Sequence, residues 1–255
     1  MCSSDLDKEL IEKIVDEVRK EENVKLLDYS SDKDHNRTVV TFIGEPKNVI
    51  EAAFNACKKA SELIDMTAHT GEHPRMGATD VIPLIPVSDI TEEEAIEMSK
   101  ELGKRIGEEL NIPIFLYEKS ATATHRQNLA VVRKGQYEGM ADKLKDEMWA
   151  PDFGPNELNV KAGVTAIGVR MPLVAFNVNL DTDDLSIAKK IAKAIRGSSG
   201  GYRHCKALGI EITERNIVQV SINMVDYTRT PLYRVFDTIE REANKIGRAS
   251  CRERV

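Results

Sequence analysis

The chain has 255 residues, 41% of them apolar, 31% charged and 5% aromatic, enough to bury one large core or two small ones without disulfide or metal staples. Its 42 acidic residues against 36 basic ones leave a net charge of −6 with no basic block, which argues against a protein that tracks nucleic-acid phosphates. No apolar run approaches the ~18 residues of a membrane-spanning helix and no secretory leader is legible, so the expectation is a cytoplasmic globular protein with no membrane partner, an enzyme or a subunit of one.

Both ends read as foreign. The opening MCSSDL (1–6) and the closing IGRASCRERV (246–255) look like translated sequencing adapters and are set aside as non-native. Cys2 and Cys251 go with them. Cys57 and Cys205 form neither a CxxC knuckle nor a disulfide framework, so both are expected to be buried and inert.

Taken in order, 7–22 is a helix, because Leu10, Ile11, Ile14, Val15 and Val18 fall at helical spacing. Short strands follow at 24–29 and 38–43. Pro46 opens a helix to about 64 that carries Val49, Ile50, Ala53, Phe54, Cys57 and Ala60. Residues 65–79 lose all periodicity. The apolar run 81–87 is a strand that Pro83 and Pro86 assign to an edge or a bulge. Thr91 and Glu94 make a capping box that opens a helix to about 110. A strand at 113–117 leads into a helical stretch ending near Gly135.

From 136 to 163 the chain is irregular, and Trp149-Ala-Pro-Asp-Phe-Gly-Pro155 reads as a rigid loop. Strands then come near 164–170, 173–180, 206–212 and 217–225, with helices at 184–196 and from Thr230. That ββαββα order is a circular permutation of the βαββαβ sandwich. The expected fold is α+β, two ferredoxin-like α/β sandwich subdomains covering 7–165 and 166–245, with the boundary near 163–172.

Five histidines occur, His35, His69, His73, His125 and His204. His69-Thr-Gly-Glu-His73 would resemble a metal-binding face on a helix, but Gly71 and Pro74 argue against a helix and the HExxH order is absent. An imidazole beside Glu72 and Arg75 on a loop suits proton transfer; a surface turn with incidental charges fits the same residues. In the strand 173–180, Val174, Phe176, Val178 and Leu180 share one face, with Asn177 and Asn179 on the other. Amides on that strand, joined by Gln219, Ser221 and Asn223 on the next, suggest a wall that hydrogen-bonds a polar ligand, or else a polar sheet face under another layer. Gly197–Tyr202 lacks nucleotide-loop spacing and reads as a flexible turn, and Asp183-Asp184 as a favourable charge at a helix start.

Four stretches can now be set together: Asp34-His-Asn-Arg-Thr-Val-Val-Thr-Phe42, Gly71-Glu-His-Pro-Arg-Met-Gly-Ala78, Trp149-Ala-Pro-Asp-Phe-Gly-Pro155 and Phe176-Asn-Val-Asn-Leu180. They resemble the glutamate formimidoyltransferase family, in its order and at similar spacing, from about residue 8 to 245. The resemblance implies transfer of a formimidoyl group from N-formimidoyl-L-glutamate to tetrahydrofolate as co-substrate, late in histidine breakdown, with no metal and in a homodimer. It matches His73 to the family's catalytic histidine and the segment from Gly154-Pro155 to Gly163 to its folate contact. Within that segment, Leu158 is a candidate to pack on a folate ring and Lys161 to meet a folate carboxylate. Asn36, Arg37, Glu72, Arg75, Asp80, Asn177 and Asn179 are the candidates for binding or orienting the donor, Arg37 and Arg75 through its carboxylates, Glu72 or Asp80 through His73. N-formylglutamate and formimidoylglycine are alternative donors. A non-catalytic folate-binding paralogue and a metal-dependent hydrolase using His69, Glu72 and His73 are the readings from other classes. The family's usual opening strand, Cys-Val-Pro-Asn-Phe-Ser-Glu-Gly, does not appear at the start of this chain.

Overall fold

The computed structural model describes residues 8–32, 36–70, 74–246 and 251–254, which divide into two units after Arg170. In the first, helix α1 (Lys8–Arg19) buries Ile11, Ile14, Val15 and Val18 along one stripe. That stripe packs on α2 (Pro46–Leu63) and on the hairpin of β1 (Val24–Asp32) and β2 (Arg37–Gly44), where Leu26, Val40 and Phe42 meet Ala52, Ala56 and Ala60. Alanines on α2 let α1 approach closely. Each fully buried Val, Leu or Ile contributes about 1.5–3 kcal/mol.

Strands β3 (Val81–Leu84), β4 (Ile114–Leu116) and β5 (Thr165–Val169) form a parallel sheet in the order β3-β5-β4. Pro83 thus sits on an edge strand, where a missing N–H is tolerated. Both faces of this sheet are covered, which is why β4 and β5 are apolar and buried at successive positions instead of alternating. On one side Ile114, Leu116 and Ile167 pack against Phe54 and Cys57 of α2 and Leu102 and Ile106 of α3 (Glu92–Leu110). On the other, Phe115, Tyr117 and Ala166 meet Val132 of α4 (Leu129–Val132) and Met140 of α5 (Gln136–Lys143), with Leu144 just beyond it. The expected capping box opens α3: Thr91 Oγ1 accepts from Glu94 N at 3.2 Å, and the Glu94 carboxylate accepts from Thr91 N at 2.8 Å.

The second unit runs β6 (Val174–Leu180), α6 (Leu185–Ile195), β7 (Cys205–Ile212), β8 (Ile217–Met224), α7 (Leu232–Ile246) and β9 (Cys251–Arg254). Its antiparallel sheet has the order β7-β8-β6-β9, which is the split βαβ sandwich without permutation. Two facts change the expected strand order. The run 164–170 pairs with β3 and β4 in the first unit, and the fourth strand comes from 251–254, inside the stretch set aside as non-native. Phe176, Val178 and Leu180 join Val218, Val220, Ile222 and Met224 on the face that Ile187, Ile191, Val235 and Ile239 cover. Asp184 accepts from Ser186 N at 2.9 Å and so caps α6. Cys57 and Cys205 are both free and buried, and burial pushes each thiol up to about 11.

Candidate functional site

The residues singled out in the first unit gather around the aperiodic stretch between α2 and β3. His73 and Glu72, with Gly71, lie outside the described residues, as does His35. What flanks 71–73 is tightly bound. The Asn36 side-chain amide donates to Thr70 O at 2.7 Å. His69, 3% exposed, has its Nε2 3.2 Å from Asn36 O and its Nδ1 accepting from Arg75 Nε at 3.3 Å. An arginine N–H can only donate and a carbonyl can only accept, so His69 is the neutral tautomer protonated on Nε2. Both ring nitrogens are thereby engaged, which removes His69 as a metal ligand.

Arg75 is the centre of this arrangement. Its five N–H donors meet five acceptors: His69 Nδ1, His69 O at 3.0 Å, Gln136 Oε1 at 3.1 Å, and the two Glu138 carboxylate oxygens at 3.0 and 2.6 Å. A guanidinium saturated in this way and 6% exposed holds the protein together; it does not present a fork to a substrate carboxylate. The hydrogen bonds from Arg75 hold the Glu138 carboxyl below its usual range. Asp80, 5% exposed, accepts from Met76 N at 3.1 Å through Oδ1 and pairs with Arg133 through Oδ2, so it orients the 74–80 backbone. Arg37 begins β2 and is half-buried.

The folate-assigned segment is built onto the same loop. Ala78 N donates to Ala162 O at 2.8 Å and Val164 N to Met76 O at 2.9 Å. Gly77 and Gly163 pass so closely that a Cβ on either would fall on a backbone carbonyl, and Gly163 has φ +74° besides. Gly154, with φ +84°, is the partner of Gly107 on α3 in a second close contact, and half-buried Pro155 follows it. Lys161 donates to Glu62 O at 2.5 Å, at the carboxyl end of α2, and Leu158 packs on the Met76–Phe115–Trp149 cluster. Those two side chains therefore have internal roles. Gly154, Asn156, Glu157, Val160 and Lys161 are the exposed positions of the segment, Lys161 with its ammonium turned to Glu62 O.

The Trp149–Pro155 loop is rigid for a reason periodicity did not reveal. Asp152 accepts from Leu116 N at 2.8 Å and Arg126 Nη1 at 2.9 Å, and it also accepts from the Thr122 hydroxyl. The Asp152–Arg126 pair is buried, at 7% and 8% exposure. Beside it the His125 ring meets the Trp149 ring edge-on at 4.7 Å. Burial pushes the Tyr117 phenol up to about 12 although Arg170 and Arg133 draw it down, so it stays a neutral phenol and not a base.

In the second unit Asn179 is 1% exposed and accepts from Gln219 Nε2 at 2.7 Å across the strand pair. Asn177 is half-buried opposite Ser221. The two amide-bearing strands thus pair polar groups with each other on the face away from the helices.

Sequence reasoning missed Gln136, Glu138, Arg133, Arg126 and the anchoring role of Asp152. One signal was present: the break at Gly135-Gln136, where φ is +97° and +53°.

Comparison with known proteins bears on this arrangement directly. Residues 1–170 match the model of the formiminotransferase domain, N-terminal subdomain, and residues 175–251 that of the formiminotransferase domain. A glutamate formimidoyltransferase of Streptococcus pyogenes serotype M1 is 61% identical over 224 residues, 88% of this chain and 75% of that protein. Another, from Thermoplasma acidophilum, is 43% identical over 243 residues, covering 94% and 80%. A formimidoyltransferase-cyclodeaminase of Sus scrofa is 41% identical over 244 residues, 94% of this chain and 45% of that protein. With both family models matched in sequence order, the chain belongs to the formiminotransferase domain family.

Proposed function

We propose that this chain transfers the formimidoyl group of N-formimidoyl-L-glutamate to N5 of tetrahydrofolate, giving 5-formimidoyltetrahydrofolate and L-glutamate in histidine degradation. The observation that carries the reading is the 61% identity to a glutamate formimidoyltransferase across most of both chains. In the reaction, the N5 lone pair attacks the formimidoyl carbon and a tetrahedral intermediate forms. The bond from that carbon to the glutamate nitrogen then breaks, and this nitrogen must leave protonated. His73 accepts the N5 proton and returns it to the leaving nitrogen. Holding the two substrates side by side supplies much of the remaining acceleration, worth roughly 7–11 kcal/mol in well-oriented systems.

The flanks of 71–73 support this role, because a proton shuttle works only within hydrogen-bond reach of its target: the Asn36 amide holds Thr70 O, and the buried Arg75 guanidinium ties one flank to His69 O on the other. Arg37 is assigned to a donor carboxylate, and Glu72 to orienting His73. Arg75 and Asp80 act on the loop backbone. Tetrahydrofolate contacts 154–163 through its backbone and its exposed positions. No step uses a metal. The active form is a cytoplasmic homodimer; no helix among the described residues is long and apolar enough to cross a membrane.

The test is a transfer assay with tetrahydrofolate and N-formimidoyl-L-glutamate, read by acid conversion of the product to the near-ultraviolet-absorbing methenyl form. Turnover that His73→Ala abolishes is the expected result. Faster turnover with N-formylglutamate or formimidoylglycine would reassign the donor. A folded protein that neither turns over nor binds tetrahydrofolate would overturn the reading.

A further inference from the structure

The first turn of α5 grips Arg75 with three consecutive residues. Gln136 supplies a side-chain oxygen, Tyr137 donates its backbone N–H to Arg75 O at 2.8 Å, and Glu138 supplies both carboxylate oxygens. The same turn reaches the other assigned segment, since the Tyr137 hydroxyl donates to Val160 O at 2.6 Å. Arg75 in turn bonds the His69 carbonyl six residues back, which ties together the described flanks of 71–73. Backbone strain marks the anchors: Asn36 and Gln136, non-glycine residues at φ +45° and +53°, both bond to these flanks or to Arg75.

We infer that Gln136-Tyr137-Glu138 is the positioning element of the reaction, setting the described flanks of 71–73 through Arg75 and the folate-assigned segment through Val160. This rests on the transferase reading for the roles of the two segments, though not for the contacts themselves. Glu138 matters because it is the carboxylate bonded to the buried Arg75 guanidinium, and its bidentate geometry fixes the plane of that fork. Tyr137 matters because its hydroxyl ties the α5 turn to residue 160 across the intervening sequence. Neither residue is assigned contact with a reacting atom, so both are positioning residues.

The two arms predict different kinetic signatures. Glu138→Gln keeps the shape and removes the charge. With the flanks of 71–73 loosened it is expected to lower kcat by about 10- to 100-fold while leaving the tetrahydrofolate KM near that of the unaltered chain. Tyr137→Phe removes one hydroxyl and is expected to raise the tetrahydrofolate KM roughly 2- to 10-fold with kcat nearly unchanged. Hydrogen exchange followed by mass spectrometry reads the same clamp without turnover. Peptides covering 69–76 should exchange faster in Glu138→Gln, those covering 154–163 faster in Tyr137→Phe, and α3 should be unchanged in both. Equal losses of kcat and KM effect in both variants, accompanied by faster exchange everywhere, would mean a merely structural role and would sink the inference. So would unaltered exchange in both segments. If the unaltered chain shows no transfer activity, the transferase reading fails, and the exchange pattern alone still decides whether the clamp exists.

Discussion

The two units of this chain solve different problems. The second is a sheet with two helices on one face, and what holds it is the stripe of Val, Ile, Leu and Met between them. In the first, the irregular segments that carry the described site candidates are pinned by polar contacts between residues far apart in sequence: Arg75 to Glu138, Asp80 to Arg133, Asp152 to Arg126, Lys161 to Glu62. Apolar packing is non-directional, so it yields a stable sandwich that tolerates small shifts. Buried charge-assisted bonds are directional and costly to leave unmade, so they fix a loop in one geometry and fail sharply when one partner is lost. On the proposed transferase reading a histidine must be held against a reacting nitrogen, and that needs the second kind of contact.

The largest expected effect breaks the comparison at its most buried pair. Asp152→Ala would leave the Arg126 guanidinium, 8% exposed, without its counter-charge and Leu116 N without its acceptor. A loss of about 3–5 kcal/mol is expected in urea unfolding. Trp149, the chain's single tryptophan, lies in the first unit and reports it by its emission. A loss below about 1 kcal/mol would place this pair with ordinary surface ion pairs and remove the contrast between the units. The second unit's comparison contact lies at a helix end, apart from its buried Asn179–Gln219 pair. Asp184→Ala removes the cap on Ser186 N and should cost about 1 kcal/mol. Alkylation of the buried Cys205 thiol in urea would measure it, because that thiol is reached only as the second unit opens.

This division also decides what could be read from the sequence. The α3 capping box is legible because Thr91 and Glu94 are three residues apart and each names the other's role. Alternation in β6 and β8 is legible because one face is apolar throughout, from Val174 to Leu180 and Val218 to Met224. Strand β5 could be recognised as a strand, but a run buried on both faces carries no mark of which sheet it joins, and it lies in the first unit. Strand β9 was beyond reach because its residues look foreign to any family pattern. Glu138 is one exposed acid in a charged stretch, 63 positions from Arg75, and no local rule couples them. Leu158 and Lys161 show the converse. Their residue types suit a folate, but the direction of a side chain is set by packing, and theirs go to the core and to the end of α2.

Acid should separate the units by the smallest of these effects. Among the described groups of the first unit, carboxyls are held below their usual range at Glu12 by the Tyr29 hydroxyl, at Glu51 by Arg105, at Glu62 by Lys59, at Asp65 by Thr67, at Glu94 by Thr91, at Glu138 by Arg75 and at Asp142 by Lys145. In the second unit the corresponding group is Asp226, held down by Thr228. A carboxyl whose folded pKa is depressed contributes stability that is fully present above its unfolded value and is lost as pH falls through the folded one. Protonation therefore removes more from the first unit than from the second across roughly pH 5 to 2. These groups are mostly solvent-exposed, so each contributes little and the effect is their sum. Trp149 emission should change at a higher pH than the far-ultraviolet circular dichroism of the whole chain, leaving residual helix signal where the first unit has opened. Glu138→Gln should move the emission midpoint slightly toward higher pH, because the stability that this depressed carboxyl contributes while ionised is gone. Coincident midpoints, or helix signal lost before the emission change, would mean that the polar pins do not distinguish the first unit.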